Sequence, residues 1–338
     1  MKSTFIFKIV IIISVLSISS LVFSEDIIFQ DNFDDHPDWE LTQPKAPTAL
    51  SVYSGEETIP SGWHSYYIAG SYYTDPGKNS IILSKENARD GKGKCLTFWN
   101  ESDTRGDGWA SDNQLGLSLP DGYNELYVRF YIKFQLGWKW QTSNNPFQKF
   151  FRITHYHGGS PYLFFEGGNQ HPLFTSLLAK WDGSANVSQY LNYRYENVYY
   201  PNSASPSHTT GDTFYFGSGN YSGTGQTFWD NGMVGDGKWH CWEFYVKMNS
   251  GIGIPDGIIR FWHDGSLIAE VTDLAWSDEG SQVDPRLNWN YLTIGGNSFN
   301  HFAVNEDEAE QWYAIDDFVV STKRIGPLPQ KPANVVIK

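Results

Sequence analysis

The chain has 338 residues, a formal net charge of −14 at neutral pH, and 17% aromatic residues, among them 14 Trp and 20 Tyr. So acidic a surface is repelled at long range by nucleic acid and by anionic bilayers, which excludes both as partners of its bulk, although a locally basic groove can still take an acidic ligand. Mean hydropathy is −0.43, so the many Trp and Tyr suit both a sandwich core and a surface on which sugar rings stack.

Residues 1–24 read as a signal peptide. Lys2 and Lys8 give a positive start, Ile9 to Leu16 form an apolar run broken at Ser14, and Val22-Phe23-Ser24 places compact residues before Glu25. The run is too short and too polar for a membrane span. The pattern predicts a secreted or periplasmic protein, free of the membrane once cleaved. A single domain is expected over residues 25–326, with 327–338 as a Pro-containing tail. The domain opens with Phe29-Gln30-Asp31-Asn32-Phe33-Asp34-Asp35 and closes with Tyr313-Ala314-Ile315-Asp316-Asp317-Phe318. In a closed double-sheet fold the first and last strands often neighbour each other. Asp31, Asp34 and Asp317 could then hold a structural Ca²⁺ through hard oxygen ligands. No cofactor is required.

Along the rest of the chain, short alternating runs bounded by Gly, Asn, Asp and Pro predict an all-β fold, a two-sheet antiparallel β-sandwich. In Tyr127–Gln135, Val128, Phe130, Ile132 and Phe134 point one way, and Tyr127, Arg129, Tyr131 and Lys133 point the other. Extended backbone from Gln148 to His157 would put Lys149, His155 and His157 on one face and Gln148, Arg152 and Tyr156 on the other. Period alone does not choose between these faces. Trp242–Met248 is a further strand, followed by a turn-rich insert (Asn249–Gly257) and a strand over Ile258–His263. Asp264-Gly265 marks a tight turn into Leu267–Val271, a hairpin signal. Cys95 and Cys241 are either joined or two buried thiols, because spacing does not fix their separation.

Three stretches carry a resemblance. They are ELYVRFYIKFQLGWKW (Glu125–Trp140), GKWHCWEFYVKMNSGIGIPDGIIRFWHDGSLI (Gly237–Ile268) and the ending YLTIGGNSF…WYAIDDFVVST. Together they resemble the concanavalin A-like polysaccharide lyases, family 14 most closely, the alginate- and glucuronate-cleaving group. The resemblance spans about Leu126 to Thr322 and rests on strand and turn residues. It implies a concanavalin A-like jelly roll, an acidic polysaccharide as partner, and β-elimination on a uronic acid.

That reaction needs a cation or strong donor to neutralise the C6 carboxylate, a base for the C5 proton and an acid for the leaving oxygen. The resemblance places an active-site lysine at Lys149. It also sets a serine five residues before a tryptophan, and a tyrosine downstream; Ser176, Trp181 and Tyr190 fit. Leu178 stands where the family has arginine, and Asn192 where it has a second tyrosine. Lys180 shares a predicted face with Ser176, and Arg194 with Tyr190, so either could resupply the cation. The catalytic candidates are therefore Lys149, Tyr190, His155, Arg194, Lys180 and Ser176. Tyr190 would act as acid, base or both, with His155 as rival base because its ordinary pKa lies near neutrality. Arg129, Tyr131, Arg152, Tyr156, His157 and Asn192 are the substrate-binding candidates. The two carboxylates that a hydrolytic glycosidase needs at alternating strand positions are missing, and His155 with His157 lacks a third metal ligand. The alternative is a glycan-binding jelly roll without catalysis.

Overall fold

A computed structural model describes residues 26–42, 50–52, 59–69, 79–102, 111–140, 146–156, 173–179, 188–194, 234–251, 254–274, 276, 288–300, 302 and 310–328. The predicted leader lies outside them. No helix among the described residues is long and apolar enough to cross a membrane.

Two antiparallel sheets lie face to face. The first contains β1 (Ile27–Asp31), β2 (Trp39–Thr42), β5 (Asn79–Ser84), β6 (Cys95–Glu101), β8 (Glu125–Phe134), β12 (Trp239–Lys247), β13 (Gly257–His263), β14 (Ser266–Leu274) and β16 (Glu310–Ser321). Its order is β14-β13-β12-β8-β16-β6-β5-β2, with β1 also on β16. The second contains β3 (Leu50–Val52), β4 (Ser65–Ala69), β7 (Ser111–Tyr123), β9 (Phe147–Thr154), β10 (Leu173–Ala179), β11 (Ser188–Arg194) and β15 (Trp289–Phe299), in the order β11-β10-β9-β15-β7-β4-β3. We call them sheets A and B. The long crossings between sheets make this the jelly-roll form of the sandwich. The predicted class is the observed one.

Alternation explains which residues fill the interior. From β8, Leu126, Val128, Phe130, Ile132 and Phe134 join one core cluster; from β12, Trp242, Phe244 and Val246 do. Sheet B answers with Phe150, Phe151, Ile153, Phe174, Leu178, Leu292 and Ile294. Rings from the two sheets meet directly: Phe134 and Phe150 at 5.4 Å edge to face, Phe151 and Phe244 stacked at 5.3 Å. Five tryptophans serve this interior: Trp63, Trp138, Trp242, Trp276 and Trp289 are all buried in it.

Two irregularities keep the core in step. In β16 the pairing with β8 slips between Asp316 and Val319, and Asp317 has a φ of 49°. The slip keeps Ile315, Phe318 and Val320 all facing inward. At the same point β16 exchanges β6 for β1, with Asp31 opposite Phe318, so the first and last strands are neighbours as the sequence predicts. The Asp264-Gly265 hairpin also forms, with positive φ at both residues, as a tight two-residue turn requires.

Cys95 and Cys241 are buried free thiols, each pushed up to about 12 by burial. Three inter-strand steps separate β6 from β12. At ~4.8 Å per step this is about 14 Å, well beyond the reach of a disulfide. Beyond β16, residues 322–328 lie along sheet A. The Ile325 and Gly326 amides donate to the buried Glu243 carboxylate, and the Leu328 amide donates to the Tyr131 hydroxyl. The start of the predicted tail is therefore packed.

Candidate functional site on the outer face of sheet B

The site is built by a bulge in β9. The sequence Gln148-Lys149-Phe150-Phe151-Arg152-Ile153 carries two consecutive apolar residues where alternation allows one. Both phenylalanines enter the core. The pairing absorbs the extra residue by a register slip: Ser176 of β10 faces Phe151, and Leu177 already faces Lys149. A bulge inverts the face parity of everything beyond it. Lys149 and Arg152 consequently share the outer face, followed by Thr154 and Tyr156. This corrects the expectation from unbroken alternation, which set Lys149 with His155 and opposed both to Arg152.

Register then lines up residues across the sheet. One row runs Thr175–Arg152–Thr293–Gly116–Ser65 over five strands, with Asn192 of β11 opposite Thr175. A second row runs from Lys149 through Leu177 to Tyr190, so the Lys149 and Tyr190 backbones stand two strands apart, ~10 Å. A third runs Tyr291–Thr154–Leu173, with Arg194 opposite Leu173.

Arg152 is held firmly. Its Nη1 donates to Gln114 Oε1 at 2.7 Å and its Nη2 to Asn297 Oδ1 at 3.1 Å. It is 3% exposed, so the guanidinium is fixed in orientation. Lys149 is half-buried, with Nζ 5.3 Å from the centroid of the Phe147 ring. Gly296 permits this packing: a Cβ there would sit 2.6 Å from the Lys149 carbonyl oxygen. Aromatic pairs bracket the two cations along β9. Phe147 stacks on Phe299 at 6.1 Å, and Tyr156 lies on Tyr291 at 5.1 Å. Reciprocal bonds with Asn290 pin the Tyr156 backbone, and the Tyr291 hydroxyl is hydrogen-bonded to Ser65. Burial pushes the Tyr291 phenol up to about 12 and also raises that of Tyr156, so both are neutral at ordinary pH.

Other candidates fall elsewhere. Arg129 and Tyr131 lie on the outer face of sheet A, because their β8 neighbours Val128, Phe130 and Ile132 fill the core between the sheets. They are on the opposite surface from Lys149 and cannot share a subsite with it. Ser176 lies two residues from each of the core residues Phe174 and Leu178 and therefore shares their inward face. Leu178 is itself core, so an arginine at that position would not reach the outer face; the outward neighbours there are Thr175 and Leu177. His155 lies past the bulge on the inward side, with Nδ1 2.8 Å from Asn288 Oδ1. His157 and Lys180 lie outside the described residues, and of Tyr190, Asn192 and Arg194 the backbone register alone is described.

The three aspartates have separate engagements. Asp31 Oδ2 accepts from Trp63 Nε1 and faces His36 Nε2, Asp34 Oδ1 accepts from the Lys94 amide, and Asp317 is bonded to Arg89. Gln114, Asn297 and Thr293, which complete the outer face around Arg152, were not picked out from the sequence. The Phe150-Phe151 doublet was the signal that could have found the bulge and, through it, these partners.

A comparison with protein-family models gives no match, and neither does one with curated proteins. Solved structures to which the chain is similar include an endo-β-1,4-glucuronan lyase from the fungus Trichoderma reesei, at 13% identity and a TM-score of 0.46, covering 78% of this chain and 92% of that one. Another is the alginate lyase vAL-1 from Chlorella virus, at 14% identity and a TM-score of 0.44, covering 71% and 88%. A third is a laminarinase from Flavobacterium sp. UMI-01, at 11% identity and a TM-score of 0.42, covering 87% and 99%. Likenesses of this degree say what the chain is similar to and carry no argument about its chemistry.

Proposed function

We propose that the outer face of sheet B binds a uronic-acid polysaccharide and cleaves it by β-elimination. The observation that carries this reading is the bulge that sets Lys149 and Arg152 on one face of sheet B, with the Gln114 and Asn297 amides holding the guanidinium. A uronate ring presents a C6 carboxylate. Two cations on one face meet its charge, and neutralising it makes the C5 proton more acidic, because negative charge develops on that carboxyl group as the proton leaves.

The step breaks the C5–H and C4–O4 bonds and forms the C4=C5 double bond, with the C5 proton going to a base and another proton delivered to O4. Arg152 and Lys149 have the carboxylate-neutralising task. Tyr190, in register two strands from Lys149, has the proton-transfer task. Arg194 and Asn192 stand in register beside it as binding residues. The aromatic pairs at either end of β9 would flank a sugar chain laid along the strand.

The same face without proton transfer would be a glycan-binding surface, and the half-buried rings of Phe147, Phe299 and Tyr156 suit that reading too. One assay distinguishes the two. Polyuronates such as alginate and glucuronan are incubated with the protein, and the ultraviolet absorbance of the unsaturated product is followed. Cleavage is expected, with Lys149→Ala and Tyr190→Phe each lowering the rate by ~10²-fold or more. Retention of polymer on an affinity gel with no rise in absorbance would establish the binder instead. Neither retention nor cleavage of any polyuronate would overturn both.

A further inference from the structure

At one end of sheet A, four ligand-type side chains come together away from the surface just described. His240 lies on β12, His263 ends β13, Asp264 opens the turn into β14, and Asp236 lies in the turn before β12. The Asp264 backbone is fixed by its amide bond to the Cys241 carbonyl at 2.8 Å, and its Oδ1 accepts from the Cys241 amide at 2.7 Å. That arrangement leaves Oδ2 to face both histidines, 2.9 Å from His240 Nδ1 and 3.5 Å from His263 Nδ1. On the far side of its ring, His240 Nε2 lies 3.3 Å from Asp236 Oδ2. The two imidazoles are nearly parallel, with centroids 5.0 Å apart.

We propose that His240, His263 and Asp264 form a site for a divalent transition-metal ion, with Zn²⁺ the best match, and that the ion clips the β13–β14 turn to the start of β12. Three considerations carry it. First, the donor set is mixed imidazole and carboxylate, which suits Zn²⁺, Co²⁺ or Ni²⁺ and not the all-oxygen shell of Ca²⁺. Second, the geometry is close to that of a bound site. Zinc–ligand lengths near 2.0–2.1 Å in a tetrahedron imply ligand atoms ~3.3 Å apart. Two of the three edges are already 2.9 and 3.5 Å, and all three ligand atoms lie within 4.8 Å of one another. Small side-chain rotations close the third. Third, His263 is 3% exposed whereas about half of the Asp264 side chain meets solvent. The site thus has a buried wall and an open side for entry, where water can complete the shell. Asp236 supports His240 from behind, in the manner of a carboxylate–histidine–metal relay.

The test uses the untagged full chain after treatment with a chelator. Co²⁺ is added and the visible spectrum is read, then Zn²⁺ is titrated calorimetrically. One ion per chain is expected, with the intense visible bands of tetrahedral cobalt, displacement of cobalt by zinc, and a higher melting temperature in zinc. His263→Ala should abolish the bands. Asp236→Asn, at a partly exposed position, should fold as the parent does and weaken zinc binding by ~10-fold. Should the parent chain show no cobalt bands and no saturable zinc binding, or should His263→Ala bind as the parent does, the proposal is overturned. Cleavage of polyuronates is not a readout here, so the two proposals stand or fall separately.

Discussion

At Asp316 a single carboxyl group illustrates what the interior demands of the backbone. It accepts bonds from the Arg89 and Asp317 amides inside the β16 bulge. Burial, and then the negative charge of Asp317, push its pKa up to about 7 from an ordinary 3.8. The folded chain therefore binds a proton there between pH 4 and 7 that the unfolded chain does not. Stability from this group is complete below about pH 4 and is lost as pH rises through 7, by at most about 4 kcal/mol. Asp316→Asn should flatten the fall in melting temperature over that window, as measured by thermal denaturation at a series of pH values. Little of this was open to reading beforehand. The doublet Asp316-Asp317 was noticed for its charge, but its role depends on Arg89, more than two hundred residues away.

The next scale is the strand. Where alternation is unbroken, as in β8 and β12, inward and outward residues follow directly from the sequence. The strand Glu125–Phe134 and the Asp264-Gly265 hairpin are accordingly where they were expected. Where one residue is inserted, the same rule reverses every face beyond it, which is why Arg152 and His155 were assigned to the wrong sides. The physical cause lies in the core: Phe150 packs on Phe134, Trp242 and Tyr313, while Phe151 packs on Phe130, Phe174 and Phe244. Both rings are wanted inside, and the backbone yields. Phe150→Ala should cost ~3–5 kcal/mol by leaving a cavity, read from chemical denaturation. Deleting Phe151 removes the bulge but leaves Arg152 and Ile153 on their present faces, so its cost should be that of one lost buried ring, again ~3–5 kcal/mol. A deletion variant as stable as the parent would show that the bulge is dispensable.

For the molecule as a whole, the two surfaces of the sandwich have different tasks. Sheet B presents its cations outward. Part of sheet A is overlaid by residues 322–328, where the Arg324 guanidinium lies 4.7 Å from the Trp262 ring centroid and two amides satisfy Glu243, which is 1% exposed. Ending the chain at Thr322 would strip those donors from a carboxylate seated among strands. A loss of ~1–3 kcal/mol is expected, seen as a lower midpoint in urea without change of fold by circular dichroism. An unchanged midpoint would mean that the strap is ornamental.

The placement of β16 has a consequence for how the protein comes into being. This strand, Glu310–Ser321, lies in the middle of sheet A between β8 and β6, and β1 rests on it as well. Synthesis delivers this keystone after every other strand described in the two sheets. Until it emerges from the ribosome, β6 and β8 have no partner between them and β1 has no edge on which to dock, so the sandwich stays open until residues 310–321 have been made. Closure must then join segments hundreds of residues apart, the kind of wiring that folds slowly. Nascent chains stalled before residue 310 should accordingly remain sensitive to protease along their length, and acquire resistance in one step once β16 is free.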